Sequence, residues 1–233
     1  RLKAWDNYEY ILCDIRFDDA ELTTPDDSAL FDCIGSMRDI VVATGDVENS
    51  PEAIRHKVAP SQYRVHIAGE DFMKYDFMSH GQEGIVLRMW KDITGGTYEK
   101  KWWGYMCDGK ICVNSIIPDM RFMIYDVYSP DGEKLIYHLG ADIVEYPEEY
   151  VRDLFDGKIV LIGDWLQDDI HMTMRSSQPG VSILYNAYLS ILNRDNILPF
   201  WVYLLLFITF FLESMFMLKD YWKFKAPDWK IVR

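Results

Sequence analysis

The stretch Lys158-Ile-Val-Leu-Ile-Gly163 is a short apolar run that predicts a strand buried on both faces of a sheet. A second run of this kind, Ile40-Val-Val-Ala-Thr44, comes after a helix predicted over residues 27–37, which in turn follows a strand predicted over residues 8–17. A strand–helix–strand unit implies a parallel sheet covered by helices. The expected fold class is therefore α/β, with a mixed, largely parallel sheet flanked by helices.

The other elements are predicted from the same signals of apolar period, caps and turns. Residues 45–80 carry many polar side chains and two prolines, and we expect them to be irregular. The remaining predictions are strands over residues 84–90 and 134–140, helices over Glu148–Phe155 and Gly180–Leu192, and a hairpin around residues 107–112.

Residues 197–218 form an apolar segment in which Glu213 is the only charged side chain. As a helix, a segment of this length spans about 33 Å, and the hydrocarbon core of a bilayer is about 30 Å thick. Residues 219–233 carry a net charge of +3, so the positive-inside rule places them in the cytoplasm. The alternative is the buried core helix of a soluble protein, but the nearly all-round apolar character and the asymmetric flanks favour a membrane span.

The charge of the chain is unevenly distributed. The net charge is −13 overall, but residues 1–196 hold 34 acidic and 19 basic side chains. An acidic surface repels phosphate, which excludes a nucleic-acid binder. The mean hydropathy of −0.13 excludes a polytopic transporter. We expect three parts, namely an extracytoplasmic domain at 1–196, a transmembrane helix at 197–218 and a basic cytoplasmic tail at 219–233.

One carboxylate lies within the predicted span. Glu213 is about one and a half turns from the lysine-rich end, where it could reach the interface or pair with Lys219 or with another subunit. Since an ionisable residue inside a membrane is a candidate for function, we treat Glu213 as a candidate contact for a membrane-helix partner.

A group of polar residues follows the strand that ends at Gly163. Asp164, Asp168, Asp169 and His171 come shortly after it, and ligands of α/β sheets bind at the carboxyl ends of strands. They could hold a metal or a polar ligand. The alternative, which the pattern alone favours, is a solvated loop in which an aspartate caps a neighbouring helix.

Three charged residues interrupt apolar strand patterns. Asp14, Arg16 and Arg88 could form a buried ion pair or bind an anionic ligand. The ion pair is the favoured interpretation, because a buried charge needs a partner.

Four cysteines are present. Cys13 and Cys33 lie in a predicted strand and helix and are expected to be buried apolar residues. Cys107 and Cys112 flank the hairpin turn. If residues 109–110 form the loop, these two cysteines face each other and a disulfide can form; if residues 108–109 form the loop, the register is wrong.

No catalytic or metal-binding motif is found in the sequence. It contains no glycine-rich phosphate loop, no nucleophile elbow and no zinc-protease motif, and its five histidines are scattered. We expect a protein that is not an enzyme and has no metal or cofactor.

Several segments together resemble the C-terminal half of a type-2 CHASE domain, an extracellular sensory domain of bacterial membrane receptors. They are Phe155-Asp-Gly-Lys-Ile-Val-Leu-Ile-Gly163, Asp169-Ile-His171-x-Thr173, Pro179-Gly-Val181 and Asn186-Ala-Tyr188, with upstream agreement in Ile11-Leu-Cys-Asp-Ile-Arg-Phe17, the helix start at residues 27–31, Val41-Val-Ala43 and Gly84-Ile-Val-Leu-Arg88. The resemblance covers residues 8–196. It is weak over residues 45–80 and 97–135.

The chain departs from that family in three ways. Such proteins usually begin with a membrane helix and a first strand, have up to three helices after the domain, and many carry a cytoplasmic output domain. Here the chain starts after the first strand, has one apolar helix and continues for a short basic tail. We expect that the chain is N-terminally incomplete.

Two functions follow as expectations. The first is a non-catalytic sensory or ligand-binding domain of a receptor-like protein in the bacterial inner membrane, with residues 1–196 in the periplasm. A small ligand or a partner near Asp14, Asp164 and Asp169 would shift the Gly180–Leu192 helix and the membrane helix. The second is a docking subunit of an envelope complex. Its partners would be the bilayer and either a homodimer partner or other membrane-protein subunits, with no nucleic acid.

Overall fold

A computed structural model describes residues 2–17, 25–61, 63–65, 72–122, 139–140, 143, 145–165, 168–173 and 176–221. The chain divides into two compact units, Arg1–Asn196 and Ile197–Arg233. The helices are α1 (Leu2–Trp5), α2 (Pro25–Ser36), α3 (Ile85–Thr94), α4 (Glu148–Phe155), α5 (Gly180–Leu192) and α6 (Phe200–Tyr221), and a short 3₁₀ helix covers Glu52–Ile54.

Fourteen strands lie within the described residues of the first unit. They are β1 (Tyr10–Cys13), β2 (Ile40–Thr44), β3 (Val58–Pro60), β4 (Tyr63–Val65), β5 (Phe72–Asp76), β6 (Met78–Ser79), β7 (Gln82–Glu83), β8 (Tyr98–Lys101), β9 (Gly104–Cys107), β10 (Lys110–Cys112), β11 (Ser115–Ile116), β12 (Ile159–Ile162), β13 (Ile170–Met172) and β14 (Ser177–Pro179).

A parallel sheet forms the centre of this unit. Its four strands have the order β12-β1-β2-β3. Alternate residues of β1 face opposite sides: Ile11 packs with Phe31 and Ile34 of α2, whereas the Tyr10 hydroxyl donates to Asp92 of α3 at 2.7 Å. Helices therefore cover both faces, and the α/β prediction with a largely parallel sheet is confirmed. The antiparallel strands form separate small sheets.

Residues 85–90 belong to α3, so the prediction of a strand over residues 84–90 is wrong. Gly84 is extended and precedes α3, and Gly95 adopts the left-handed conformation (φ 67°) that ends it. Between these glycines, Ile85 and Met89 are buried one helical turn apart, as are Val86 and Trp90. A short apolar run fits a buried strand or a buried helix equally well, and the flanking glycines decide.

Residues 45–80 are more regular than expected, because β3 within them is the fourth strand of the parallel sheet. It is three residues long and ends at Pro60, so its sequence signal is weak. The strand predicted at residues 134–140 falls largely outside the described residues.

β12 is a strand as predicted, but its four side chains are only half-buried. Among the described residues it pairs on one side, with β1. The expectation that this strand is buried on both faces is therefore wrong; the fully buried strands are β1 and β2.

The hairpin of β9 and β10 settles the two alternatives for its cysteines. Cys107 pairs with Lys110, so Asp108 and Gly109 form the loop, and both have the positive φ that a type I′ turn requires. In this register Cys107 and Cys112 are diagonal neighbours about 7–8 Å apart, too far for a disulfide without backbone movement. Both are free, buried thiols, which corrects the disulfide prediction.

The second unit contains α6, which is 22 residues long. Its segment Phe200–Leu218 has a mean hydropathy of 2.0, and none of it is buried. The helix is long and apolar enough to cross a membrane.

Candidate functional site

The carboxyl ends of β1 and β12 lie next to each other at the point where the strand order reverses. From β1 the chain builds outward through β2 and β3, and later returns to the other side of β1 with β12. Ligands of open α/β sheets bind at such a switch point. Asp14 follows β1 there, and its amide donates to the Ile162 carbonyl at 2.7 Å.

The first turn of α5 lies against the carboxyl ends of β1 and β12. A Cβ on Gly163 would lie 3.0 Å from the Val181 Cβ and 3.4 Å from the Asp14 Cβ. The absence of a side chain at Gly163 therefore lets the two strand ends and the helix approach closely.

Asp169 connects the β13–β14 hairpin to the start of α5. The Gly180 amide donates to the Asp169 carbonyl at 2.8 Å. A Cβ on Gly180 would lie 1.9 Å from the Asp169 Oδ2, so the carboxylate occupies the space that any larger residue would need. This carboxylate therefore rests directly on the first residue of α5.

Asp14, Asp169 and His171 form one hydrogen-bonded group, here called the carboxyl-edge cluster. His171 Nε2 lies 2.8 Å from Asp169 Oδ1, and the Asp14 and Asp169 carboxyl groups share a hydrogen bond. Burial, followed by the neighbouring Asp169 charge, raises the pKa of Asp14 from 3.8 to about 7. A pKa of about 7 means that Asp14 changes between its protonated and ionised forms near neutral pH.

Arg16 lies beside the cluster rather than within it. Its side chain is exposed, and its Nη2 donates to the Ser61 hydroxyl at 3.4 Å, at the end of β3. Its positive charge lowers the pKa of Asp14, but by less than burial raises it. Asp14 and Arg16 interact through their charges at the same edge of the sheet.

Asp164 stabilises the loop that follows β12. Its Oδ2 accepts the Asp168 amide at 2.8 Å, which closes the turn between β12 and β13. Asp168 itself is exposed. These two residues shape the loop that carries Asp169.

Arg88 is not part of this site. It lies on α3, where its Nη2 donates to the His56 carbonyl at 2.7 Å and its Nε lies 3.9 Å from Asp92. For Arg88 the expectation of a buried ion pair is wrong, because the segment is a helix on which Arg88 lies beside Asp92, and both side chains are partly exposed.

Sequence reasoning missed Tyr75, which is fully buried near the cluster. Its hydroxyl accepts the Val86 amide at 3.3 Å. Burial raises its pKa, and the Asp14 charge raises it further. Because residues 45–80 were expected to be irregular, the only available signal was an aromatic residue in a polar stretch.

Asp14, Asp169 and His171 have side chains of metal-ligating type, so their arrangement decides whether they can hold a metal ion. Within the described residues, no group of three or more histidine, cysteine, aspartate or glutamate side chains is arranged to hold a metal ion. Glu213 lies on α6 with an exposed side chain.

Comparison with known protein families found no match, and neither the curated proteins nor the solved structures contain a match. The resemblance to a type-2 CHASE domain therefore stays a prediction.

Proposed function

We propose that the chain is a non-catalytic sensory or ligand-binding protein, in which residues 1–196 lie outside the cytoplasm and α6 anchors them in the bacterial inner membrane. The observation that carries this proposal is the carboxyl-edge cluster, a partly buried, titratable group at the switch point of the sheet. A carboxyl group whose pKa is strongly perturbed by burial and by a neighbouring charge marks a candidate functional site. The resemblance of residues 8–196 to an extracellular sensory domain agrees with it.

The cluster is placed to act on α5. Asp169 binds Gly180 through its carbonyl and packs on it through its carboxylate. A ligand that draws the Asp169 carboxylate toward Asp14 would shift the first turn of α5. This helix ends at Leu192, eight residues before α6 begins at Phe200. Such a two-state helix shift is a common way for a binding event to reach a distant element.

The charge of the site favours a cationic ligand. Four carboxyl groups follow the carboxyl ends of β1 and β12 in the chain, at Asp14, Asp164, Asp168 and Asp169, against one arginine and one histidine. A positively charged ligand would stabilise the ionised form of Asp14, and its binding would release the proton of the Asp14 carboxyl group. We propose an amine or guanidinium group as the part of the ligand that enters the cluster.

The membrane assignment rests on α6 and on the lysine-rich sequence after it. The positive-inside rule places this end in the cytoplasm and the acidic unit on the other side. Glu213 is the residue we propose for contact with a second membrane helix, since a carboxylate on an apolar helix is stabilised by a partner.

The test uses the full chain in lipid nanodiscs and measures amide hydrogen exchange of Gly180–Leu192. We expect a simple diamine such as putrescine to slow exchange in the first turn of α5, and the dianion glutarate to leave it unchanged. The double variant Asp169→Asn/His171→Gln should lose the response. Asp153→Asn, an exposed aspartate on α4, is the matched control and should keep it.

A response that persists in the double variant would exclude this cluster as the site. Stoichiometric co-purification of unlike membrane proteins, with no response to either probe, would favour the docking subunit instead.

A further inference from the structure

Two tryptophans occupy the turn between β8 and β9. Lys101 pairs with Gly104 across the two strands, so Trp102 and Trp103 are the two loop residues. Their exposed fractions are 96% and 45%. The next turn of the same sheet is Asp108-Gly109, the residue pair that two-residue loops favour. The tryptophans are therefore not there to make the turn.

Exposing two indoles in this way is unfavourable in water, since large apolar side chains gain free energy by leaving it. Neither contributes to the core of the unit, because the residues of this sheet that are buried are Tyr98, Cys107 and Cys112. Tryptophans at a wet surface are typical of sites that meet a partner or the interface of a membrane.

The charges around this turn have a small basic excess, although the Lys101 ammonium pairs with Glu99 at 2.5 Å. The sheet from Tyr98 to Cys112 contains three lysines and two acidic residues, in a unit whose net charge is strongly negative. Lys100 and Lys101 are exposed directly beside the tryptophans. Lysines next to tryptophans are the combination that binds the headgroup region of anionic lipids.

The position of the sheet in the chain points to the same partner. β10 ends at Cys112, and the Val113 amide donates to the Asn196 carbonyl at 2.8 Å. Cys112 lies opposite Tyr105, so Val113 continues β10 toward the end of the sheet that carries the tryptophan turn. Asn196 is the last residue of the first unit, and the apolar segment begins at Ile197.

We infer that the Trp102–Trp103 turn inserts into the headgroup region of the membrane and holds the outer unit against the bilayer surface. The inference rests on the proposed membrane anchor, and it adds a second contact that is independent of the ligand site. A bilayer contact at this sheet would restrain the unit next to Asn196, where the chain leaves for α6.

Fluorine NMR of the full chain tests it, with all eight tryptophans replaced by fluorotryptophan and the protein in nanodiscs of phosphatidylcholine and phosphatidylglycerol. Trp→Phe variants at positions 5, 102, 103 and 201 assign the signals. A lipid with a nitroxide on its headgroup then broadens the signals of residues at the interface. Trp5, which stacks on Phe155, is the distant control.

We expect the Trp102 and Trp201 signals to be lost and the Trp5 signal to persist. Loss at Trp201 with no broadening at Trp102 would overturn the inference and leave the membrane anchor standing. No broadening at either position would overturn both. A Trp102 signal that shifts with protein concentration but not with the nitroxide lipid would assign the turn to a second copy of the chain, which also overturns it.

Discussion

The two ends of the parallel sheet differ in the partners of their charged side chains. At the amino end, Arg38 is surrounded by acceptors: its Nε donates to Asp6 at 2.5 Å and its Nη2 to the Tyr8 carbonyl at 2.7 Å, while its Nη1 pairs with Asp39. At the carboxyl end, Asp14 and Asp169 place two like groups together. Opposite charges thus satisfy the amino end, whereas at the carboxyl end burial, and after it the neighbouring Asp169 charge, raises the pKa of Asp14 and disfavours its ionised form.

This difference separates stability from function. The amino-end network is half-exposed and gains little from a change in pH near neutrality. The carboxyl-edge cluster has a group whose pKa of about 7 lies where small environmental changes alter its charge. A pH- or ligand-dependent state is therefore expected at one end of the sheet only.

The largest expected effect comes from Asp14→Asn. The pKa of Asp14 is raised in the fold, so its contribution to stability is fully present below pH 3.8 and is lost as the pH rises through about 7. The neutral amide escapes this loss. Above pH 7 we expect the variant to be more stable than the wild type by up to about 4 kcal/mol, at about 1.4 kcal/mol for each pH unit between the two pKa values.

Urea denaturation of the outer unit in the full chain, followed by tryptophan fluorescence between pH 4 and pH 8.5 (roughly the span over which a carboxyl of raised pKa titrates), measures this difference. The exposed Asp153→Asn variant is the control and should follow the wild type. Parallel curves for Asp14→Asn and the wild type would show that Asp14 ionises normally and would remove the contrast between the two ends.

A second test compares glycines at the two ends. Gly180→Ala places a Cβ 1.9 Å from the Asp169 carboxylate, and overpacking of this kind costs about 1–3 kcal/mol. Gly157, at the amino end, has φ 61° and nothing within 4 Å of its Cβ position. Gly157→Ala should therefore lower the free energy of unfolding only by the strain of an alanine in the left-handed conformation, about 1 kcal/mol.

The two alanine variants should also differ in kind. Gly180→Ala displaces the Asp169 carboxylate, so it should reduce the pH dependence that the Asp169 charge adds to that of burial, as well as lower the midpoint of thermal unfolding. Gly157→Ala should lower the midpoint and keep the full pH dependence. If both variants keep the pH dependence in full, Asp169 does not contribute to the raised pKa of Asp14.

Most of the sheet and its helices could be predicted from the sequence, and the reasons are local. The runs at Ile40–Thr44 and Gly180–Leu192 have a clear period, length and end signals, and both elements have the predicted bounds. The strand prediction at residues 84–90 failed because seven apolar-rich residues fit the period of a strand and that of a helix. The prediction missed β3 because three residues carry no period.

The site was only partly predictable for a different reason. That Asp14 and Asp169 follow strand ends is visible in the sequence, and the parallel sheet then brings them to one edge. Tyr75 and Gly180 depend on packing between distant elements, which no local pattern specifies. The contact of Asp169 with Gly180 joins a loop to a helix start and became visible only in the assembled fold.

The smallest expected effect is at the amino end, with Arg38→Met. The variant loses an ion pair with Asp6 and a bond to the Tyr8 carbonyl, but both side chains of that pair are about half-exposed. We expect a loss of about 1 kcal/mol at low salt, and a smaller loss in concentrated sodium chloride, because salt screens exposed pairs.

Asp14→Asn should show little salt dependence, since the Asp14 carboxyl group is largely removed from solvent. Urea denaturation of both variants at low and high salt makes the comparison. Equal salt dependence at the two ends would mean that the carboxyl-edge cluster is as exposed to water as the Arg38 network, and burial would then not explain the raised pKa of Asp14.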